Sequence, residues 1–252
     1  MKVRIKFRKF GPMIFIGHLD VMRYFQKAIR RADIDIAYSK GFNPHQIMSF
    51  AAPLGVGIYS DGEYFDIECN SVTSSEDMKR RLQAAMVEGF EIVNVRVLPE
   101  NAGNAMASVA AAKYEVRLRY DAEPGVDYIS QADAFYKQET ITVTKQTKKS
   151  EKELDIKPLI YDFSCYMETG STENSVMTGI DATGKPVFTM LVDASSAGNI
   201  KPGLVMQAFY DYAGLSMGEF DLIVKRLDTY TNIGTPDDPQ FVPLDEVGEI
   251  IP

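Results

Sequence analysis

The sequence is poor in the residues that build metal centres and disulfide scaffolds. It has two cysteines, Cys69 and Cys165, which lie far apart, and neither belongs to a Cys-x-x-Cys pair. Its two histidines are His18 and His45. These residues are too few and too dispersed for a structural zinc site, and no iron–sulfur motif is present. We therefore expect no cofactor in this chain, and we interpret the cysteines as small buried hydrophobes of a protein in a reducing compartment.

Long apolar runs are also missing. No stretch approaches the roughly 18 apolar residues that a membrane span needs, and the opening MKVRIKFRKF alternates charged and apolar residues, unlike a secretory signal. We expect a cytoplasmic protein without a membrane segment. The P-loop, Gly-x-Gly-x-x-Gly, His-Glu-x-x-His and Gly-x-Ser-x-Gly motifs are absent too, which excludes the enzyme classes that depend on them. The chain thus has more features of a binding protein than of an enzyme.

The residues that are present indicate a folded protein with an uneven charge. A chain of 252 residues with 45% hydrophobic and 25% charged residues is long enough for two domains, each with its own core. The net charge is −8, yet residues 1–49 contain ten Lys and Arg against three Asp and Glu, whereas residues 50–252 contain seventeen against thirty-two. A cationic segment on an acidic body favours selective binding of an anionic partner.

Residues 1–99 predict a ferredoxin-like sandwich. Apolar residues at positions 3, 5 and 7 alternate with cations, so a strand there would carry four of them on one face: Lys2, Arg4, Lys6 and Arg8. A helix follows from Asp20, which we expect to cap it, to Ala32. A second helix begins near Ser75, and the remaining strands are predicted at 47–52, 63–69 and 91–98. This βαββαβ order is typical of two helices on one face of an antiparallel sheet.

The second half of the chain repeats this order. We interpret residues 100–112 as a linker, after which KYEVRLRY at 113–120 resembles the opening strand. Residues 113–230 predict a second ferredoxin-like domain with an added hairpin, and residues 231–252 predict an irregular tail. The expected fold is therefore α+β, with two tandem ferredoxin-like (βαββαβ) sandwiches.

The cationic segment supplies the candidate ligand-binding residues. The outer face of the first helix carries Arg23, Lys27, Arg30 and Arg31. His18 and Asp20 lie where that helix begins, and a nearby loop carries Tyr38, Ser39, Lys40, Asn43 and His45, so these groups are candidates to surround an anion. Together with the four strand cations they favour an RNA-binding surface, although the aromatic signature of RNP motifs is missing.

Each of these features also has a purely structural interpretation, which the sequence leaves open. The cations are equally consistent with a solvated surface, His18 with local packing and His45 with an exposed loop residue. In the second half, Asp155 and Lys157 are candidates for an acid–base pair, and the alternative is an ion pair on a hairpin surface.

Residues 17–57 resemble the uncharacterised radical-SAM-linked family, a domain of unknown function. The matching features occur in order: the His-Leu-Asp opening, Arg-Arg-Ala, Ala-Tyr-Ser, Gly-Phe-Asn-Pro-His and the Pro-Leu-x-Val-Gly run. Gly17 and Gln46 depart from the Ser and the Lys or Arg that are more usual in the family. The resemblance implies a partner, a radical SAM protein with a B12-binding domain, in a setting near translation genes. It implies no known reaction.

Three functions are consistent with these observations. The first is a non-catalytic accessory or substrate-presenting protein of a radical SAM enzyme, which binds RNA or another anionic ligand through the N-terminal segment. The second is a metal-independent endoribonuclease with His18 and His45 as general base and acid, by analogy of fold with the CRISPR repeat-processing endoribonucleases. The third is a binder of a phosphorylated small molecule. The oligomeric state is not predicted.

Overall fold

The computed structural model describes residues 1–146, 151–170 and 184–252. It divides into two compact units, of which the first consists of residues 1–111 together with 226–252 and the second of residues 112–225. Both units combine helices with antiparallel strands, so the fold is α+β. None of the helices in the described ranges combines the length and the apolar character that a membrane crossing requires.

The first unit begins with strands and helices in the predicted order. The elements are β1 (Lys2–Lys9), a 3-10 turn (Gly11–Phe15), α1 (His18–Arg31), β2 (Met48–Phe50), β3 (Tyr59–Glu68), α2 (Ser75–Ala84), β4 (Phe90–Val97) and α3 (Ala105–Ser108). β1 lies between β4 and β3 and is antiparallel to both, and β2 pairs with β3. A tandem ferredoxin-like arrangement stays a prediction.

The second unit carries a second set of elements and then leads back to the first. The elements are β5 (Ala111–Leu118), α4 (Tyr128–Tyr136), β6 (Thr142–Gln146), β7 (Glu151–Asp155), a 3-10 turn (Lys157–Leu159), β8 (Ile160–Met167), β9 (Pro186–Asp193), α5 (Pro202–Ala213) and β10 (Leu222–Asn232). The last strand, β11 (Phe241–Pro243), belongs to the first unit. β8 pairs antiparallel with β9, and β6 with β7. Strand β10 starts in the second unit and ends in the first.

Each unit is built around an aromatic core. In the first unit Phe7 of β1 packs against Phe25 of α1 with ring centroids 4.6 Å apart, and Phe65 and Phe90 surround the same pair. In the second unit Phe188 and Phe209 lie 5.1 Å apart, in a cluster that also contains Phe135 and Phe163. Tilted and edge-on rings at these distances stabilise a core beyond the area that they bury.

Helix α1 begins two residues earlier than predicted. Gly17 is the residue before the first turn, and Asp20 lies inside that turn, so the expected capping role of Asp20 is wrong. A carboxylate there still interacts favourably with the positive end of the helix dipole. The buried positions 21, 25, 28 and 29 form one stripe, which is typical of an amphipathic helix packed on a core.

The boundaries of the first unit differ from the predicted domains. The predicted linker at 100–112 contains α3, and β5 begins within it. The predicted irregular tail is wrong, because β11 pairs with β10 and Leu244 is 0% exposed. The Ile251 N–H also donates to Ser75 Oγ. These residues complete the first unit through contacts with partners far away in sequence.

Candidate functional site

The strand cations do not form an open face. Arg4 is 1% exposed and is held by Asp66 of β3, while its Nη1 donates to the Leu244 carbonyl at 3.0 Å. Arg8 Nε lies 2.8 Å from Asp61 Oδ1, and its Nη1 lies 3.1 Å from Glu91 Oε2. The predicted cationic sheet platform is therefore wrong, since carboxylates of neighbouring strands neutralise it.

Lys6 and Lys2 also have partners within the protein, a carboxylate for Lys6 and a backbone carbonyl for Lys2. Lys6 Nζ lies 2.7 Å from Asp228 Oδ2, and Tyr64 Oη lies 2.6 Å from Asp228 Oδ1 and 2.9 Å from Asp245 Oδ1. The phenol has one proton, so it donates to one carboxylate at a time, and the ammonium balances part of their charge. Lys2 Nζ donates to the Ala102 carbonyl at 2.9 Å. We interpret this network as structural.

The cations of α1, in contrast, lie on the surface. Arg23, Lys27, Arg30 and Arg31 are all exposed, as predicted. Arg23 faces Asp20 at 3.4 Å, and Arg31 donates to the Ala85 carbonyl at 3.0 Å. The side chains of Lys27 and Arg30 make no hydrogen bond or ion pair with any residue that the structure describes. They are available for an external anion.

The loop that follows α1 lies beside this helix face. Gln46 Nε2 donates to the Gln26 carbonyl of α1 at 3.2 Å, which ties the base of the loop to the helix. Within the loop, the Ser39 N–H donates to the His45 carbonyl at 2.8 Å, and Ser39 Oγ lies 2.8 Å from His45 Nδ1. The tip between them, which includes Lys40 and Asn43, is exposed.

Sequence reasoning missed Phe42 at the tip of this loop. Its side chain is fully exposed, and Tyr38 at the base of the loop is 49% exposed. The neighbouring Gly41 and Asn43 mark a turn, which is the signal that places a lone phenylalanine in solvent. We call the exposed residues of this region the helix–loop surface: Arg23, Lys27, Arg30, Tyr38, Lys40, Phe42, Asn43 and His45.

A cleft of about 510 Å³ adjoins the helix–loop surface. Arg30 and Tyr38 line it together with Asp33, Asp35 and Arg81. Arg81 Nη1 donates to the Asp33 carbonyl at 2.8 Å, so this guanidinium is already engaged. Hydrogen bonds from Asn70 and Ser71 lower the pKa of Asp35, which keeps that carboxylate charged. The cleft therefore presents both signs of charge.

His18 lines a separate and much smaller cavity. It is the first residue of α1, its ring stands edge-on to Phe50 at 5.1 Å, and the cavity beside it, about 10 Å³, has room for one water at most. Burial lowers the pKa of His18, and the nearby charge of Lys9 lowers it further, while Glu63 opposes both. His18 is therefore a neutral imidazole near neutral pH.

Each of the two charged groups near His18 has a partner of its own. Lys9 is 2% exposed and donates to the Ile16 carbonyl at 3.1 Å. Glu63 Oε1 accepts from Ser60 Oγ at 2.7 Å and from Arg226 Nη1 at 2.8 Å. Neither Lys9 nor Glu63 is therefore a free charge beside His18.

The structure shows no contact between the side chains of either predicted catalytic pair. His18 and His45 share no hydrogen-bond or ring partner among the described residues, because one contacts Phe50 and the other Ser39. In the second unit, Asp155 Oδ1 accepts from the Lys157 N–H at 3.0 Å. Lys157 Nζ instead donates to the Tyr136 carbonyl at 2.7 Å. Asp155 and Lys157 thus stabilise a local turn, and neither expected side-chain pair is formed.

Comparisons with known proteins give a family and no activity. A chain of the "Crystal Structure of a Cbf5-Nop10-Gar1 Complex" is similar over 90% of this chain and 48% of that chain, at 11% identity and a TM-score of 0.43. This chain thus spans about half of the solved chain, and so low a likeness supports no argument about function. No curated protein matches the sequence. Residues 2–202 match the family described as "Uncharacterized protein conserved in bacteria (DUF2344)". The chain therefore belongs to the DUF2344 family.

Proposed function

We propose that this protein is a non-catalytic accessory protein that binds single-stranded RNA through the helix–loop surface. One observation carries the proposal: Lys27 and Arg30 are exposed without a partner among the described residues, and the loop that follows α1 exposes the aromatic rings of Tyr38 and Phe42. Arg4, Lys6 and Arg8 of the first strand are paired with carboxylates, whereas these two cations of α1 are not.

The chemistry of this surface suits a single strand better than a duplex. Exposed cations contact phosphates and release counterions, which supplies affinity without sequence preference. Exposed aromatic rings stack on bases that are not held in a helix, and such stacking supports binding to single-stranded loops and ends. His45, which is also exposed, adds an imidazole ring to the same surface.

We further propose that the partner is a radical SAM protein with a B12-binding domain, in the cytoplasm. This part rests on the resemblance of residues 17–57 to the radical-SAM-linked family. The chain has no iron–sulfur motif of its own, so a radical reaction would have to be carried out by the partner. A tandem ferredoxin-like arrangement would fit an RNA-presenting role, because such domains often bind RNA on an exposed surface.

A second candidate function is a binder of a phosphorylated small molecule in the cleft next to the helix–loop surface. Its volume of about 510 Å³ is within the usual range of ligand sites, and Arg30 lies on its wall. The ribonuclease alternative receives no such support, because its two histidines have different surroundings.

The test is a binding titration with matched variants. Fluorescence anisotropy of a labelled single-stranded RNA is measured at several salt concentrations with wild type and with the triple variant Arg23→Ala, Lys27→Ala and Arg30→Ala. The control removes the same charge from exposed residues of the second unit, with Arg119→Ala, Lys137→Ala and Lys201→Ala. We expect only the variant of Arg23, Lys27 and Arg30 to show a shallower dependence of the RNA-binding constant on salt. Its slope of log K against the logarithm of the salt concentration should be smaller by about two if each lost cation contacts a phosphate.

Equal losses in both triple variants would contradict the proposal, since they would indicate non-specific attraction. A mononucleotide that binds as tightly as the oligomer would instead support the small-molecule candidate. The partnership is tested separately by co-purification with the radical SAM protein, with and without ribonuclease. No association in either condition would remove that part of the proposal.

A further inference from the structure

A cleft in the second unit combines aromatic rings with carboxylates. It has a volume of about 390 Å³ and lies where the end of β5, the start of α4 and the end of α5 meet. Its walls include three tyrosines and three acidic residues: Tyr120, Tyr128, Tyr210, Asp121, Glu123 and Asp221. A volume of this size holds a small ligand or a single long side chain.

The electrostatics of this cleft favour a positive charge. No Lys or Arg lines it among the residues that the structure describes, and only Asp121 of its three carboxylates has an ion-pair partner there, Lys185 at 3.1 Å. Gly214, at the carboxyl end of α5, is part of the wall, and the last carbonyls of a helix attract cations. Residues 112–225 contain twelve Lys and Arg against seventeen Asp and Glu, which adds a negative background.

One hydroxyl in the wall has no partner. Tyr210 is 5% exposed and lines the cleft, yet its hydroxyl makes no hydrogen bond with any described residue. Burial raises the pKa of Tyr210, and the nearby Tyr128 and Asp221 raise it further, so the group stays a neutral phenol. The rest of the side chain is buried, so a hydroxyl without a protein partner in the wall of the cleft is available to a ligand.

We propose that this cleft binds an organic ammonium group carried on an aliphatic chain. The tyrosine rings would contact the cation and the chain, the carboxylates would balance the charge, and the Tyr210 oxygen would accept a hydrogen bond from the ammonium. No group of three or more His, Cys, Asp and Glu in the described ranges is arranged for a metal ion, which favours an organic cation. A free polyamine and a lysine side chain of a protein partner share this chemistry.

Calorimetric titrations of the full chain distinguish the two sources. One arm uses spermidine, and the other uses a short neutral peptide with a single central lysine, both at fixed ionic strength. Tyr210→Phe removes only the unpartnered hydroxyl. Asp221→Asn removes a charge, and the Asn amide oxygen can still accept from the Gly218 N–H that Asp221 holds at 2.7 Å. The matched controls are Tyr212→Phe and Asp211→Asn, on exposed positions of α5 outside this cleft.

We expect at least one of the two ligands to bind, and Tyr210→Phe to weaken that binding about tenfold, as for the loss of a hydrogen bond to a charged group. Asp221→Asn should weaken it by a similar factor, and both control variants should bind like wild type. Binding of spermidine alone would assign a free polyamine, and binding of the peptide alone a protein partner. The proposal is overturned if neither ligand binds at millimolar concentration, or if the control variants lose as much affinity as the cleft variants.

Discussion

The guanidinium of Arg4 donates to both carboxylate oxygens of Asp66, from Nε at 2.8 Å and from Nη2 at 2.9 Å. This pair lies in the interior of the first unit, where Arg4 is 1% exposed and Asp66 is 4% exposed. A bidentate pair fixes the relative position of the two strands that carry it. The cation at position 4 thus stabilises the sheet and is not available to a ligand.

Asp66→Ala should destabilise the protein strongly, because it leaves the Arg4 guanidinium buried without its counter-charge. We expect the free energy of unfolding to fall by about 3–5 kcal/mol, measured by urea denaturation. Asp20→Ala is the control, since Asp20 and Arg23 form an exposed pair at 3.4 Å. Its effect should stay within about 1 kcal/mol. Equal effects of the two substitutions would show that the Arg4–Asp66 pair is not held as described.

His18 should make stability depend on pH. Its folded pKa is lowered, first by burial and then by Lys9, so the unfolded chain takes up a proton at a higher pH than the folded chain. The neutral His18 ring therefore contributes fully to the free energy of unfolding above the unfolded pKa of about 6.5, and this contribution is lost as the pH falls through the folded pKa. Denaturation of wild type, His18→Gln and His45→Gln between neutral and acidic pH measures it. The loss of stability on acidification should diminish in His18→Gln alone.

The same prediction has a direct spectroscopic test. Two histidine ring signals are expected in a proton NMR titration, and each substitution removes and thereby assigns one of them. The His18 signal should titrate below pH 6.5. A titration of His18 above that value would contradict the burial described here.

Gly62→Ala should disrupt the contact between β3 and β10. A methyl group at position 62 would lie 2.5 Å from the Asp228 Cα, a backbone atom that cannot move aside easily. We expect a loss of about 1–3 kcal/mol in stability. Gly203→Ala is the control, because nothing lies within 4 Å of a methyl group there and the site is in a helix. Thermal denaturation should show a lower Tm for the first variant only.

Phe42→Ala should weaken RNA binding without affecting stability. The ring is fully exposed, so its removal leaves no cavity. Loss of one stacked base costs about 1–3 kcal/mol, which anisotropy would show as a higher Kd. Phe15→Ala, at another exposed ring of the first unit, is the control and should bind like wild type. Unchanged binding by Phe42→Ala would exclude the loop tip from the interface.

Local periodicity predicted most of the helices and strands, because it depends on which residues face a core. The cationic face of α1 around Lys27 and Arg30 and the start of α2 at Ser75 are examples. The pattern of β1 could not show that its polar face is buried. Alternating cations look the same in sequence whether they meet water or carboxylates, and the carboxylates that hold Lys6 come from Asp228 and Asp245, more than 200 positions away. The candidate site was predicted in part, since the exposure of Lys27 and Arg30 follows from helical spacing.

The return of residues 226–252 to the first unit has a consequence for synthesis on the ribosome. The second unit is a single stretch, so its residues 112–225 are all translated before the last part of the first unit. Until then, the Arg4 and Lys6 side chains lack Leu244, Asp228 and Asp245 as partners. Until residues 226–252 have been made, the Lys6 ammonium therefore lacks both of its carboxylate partners, and the first unit cannot complete its fold.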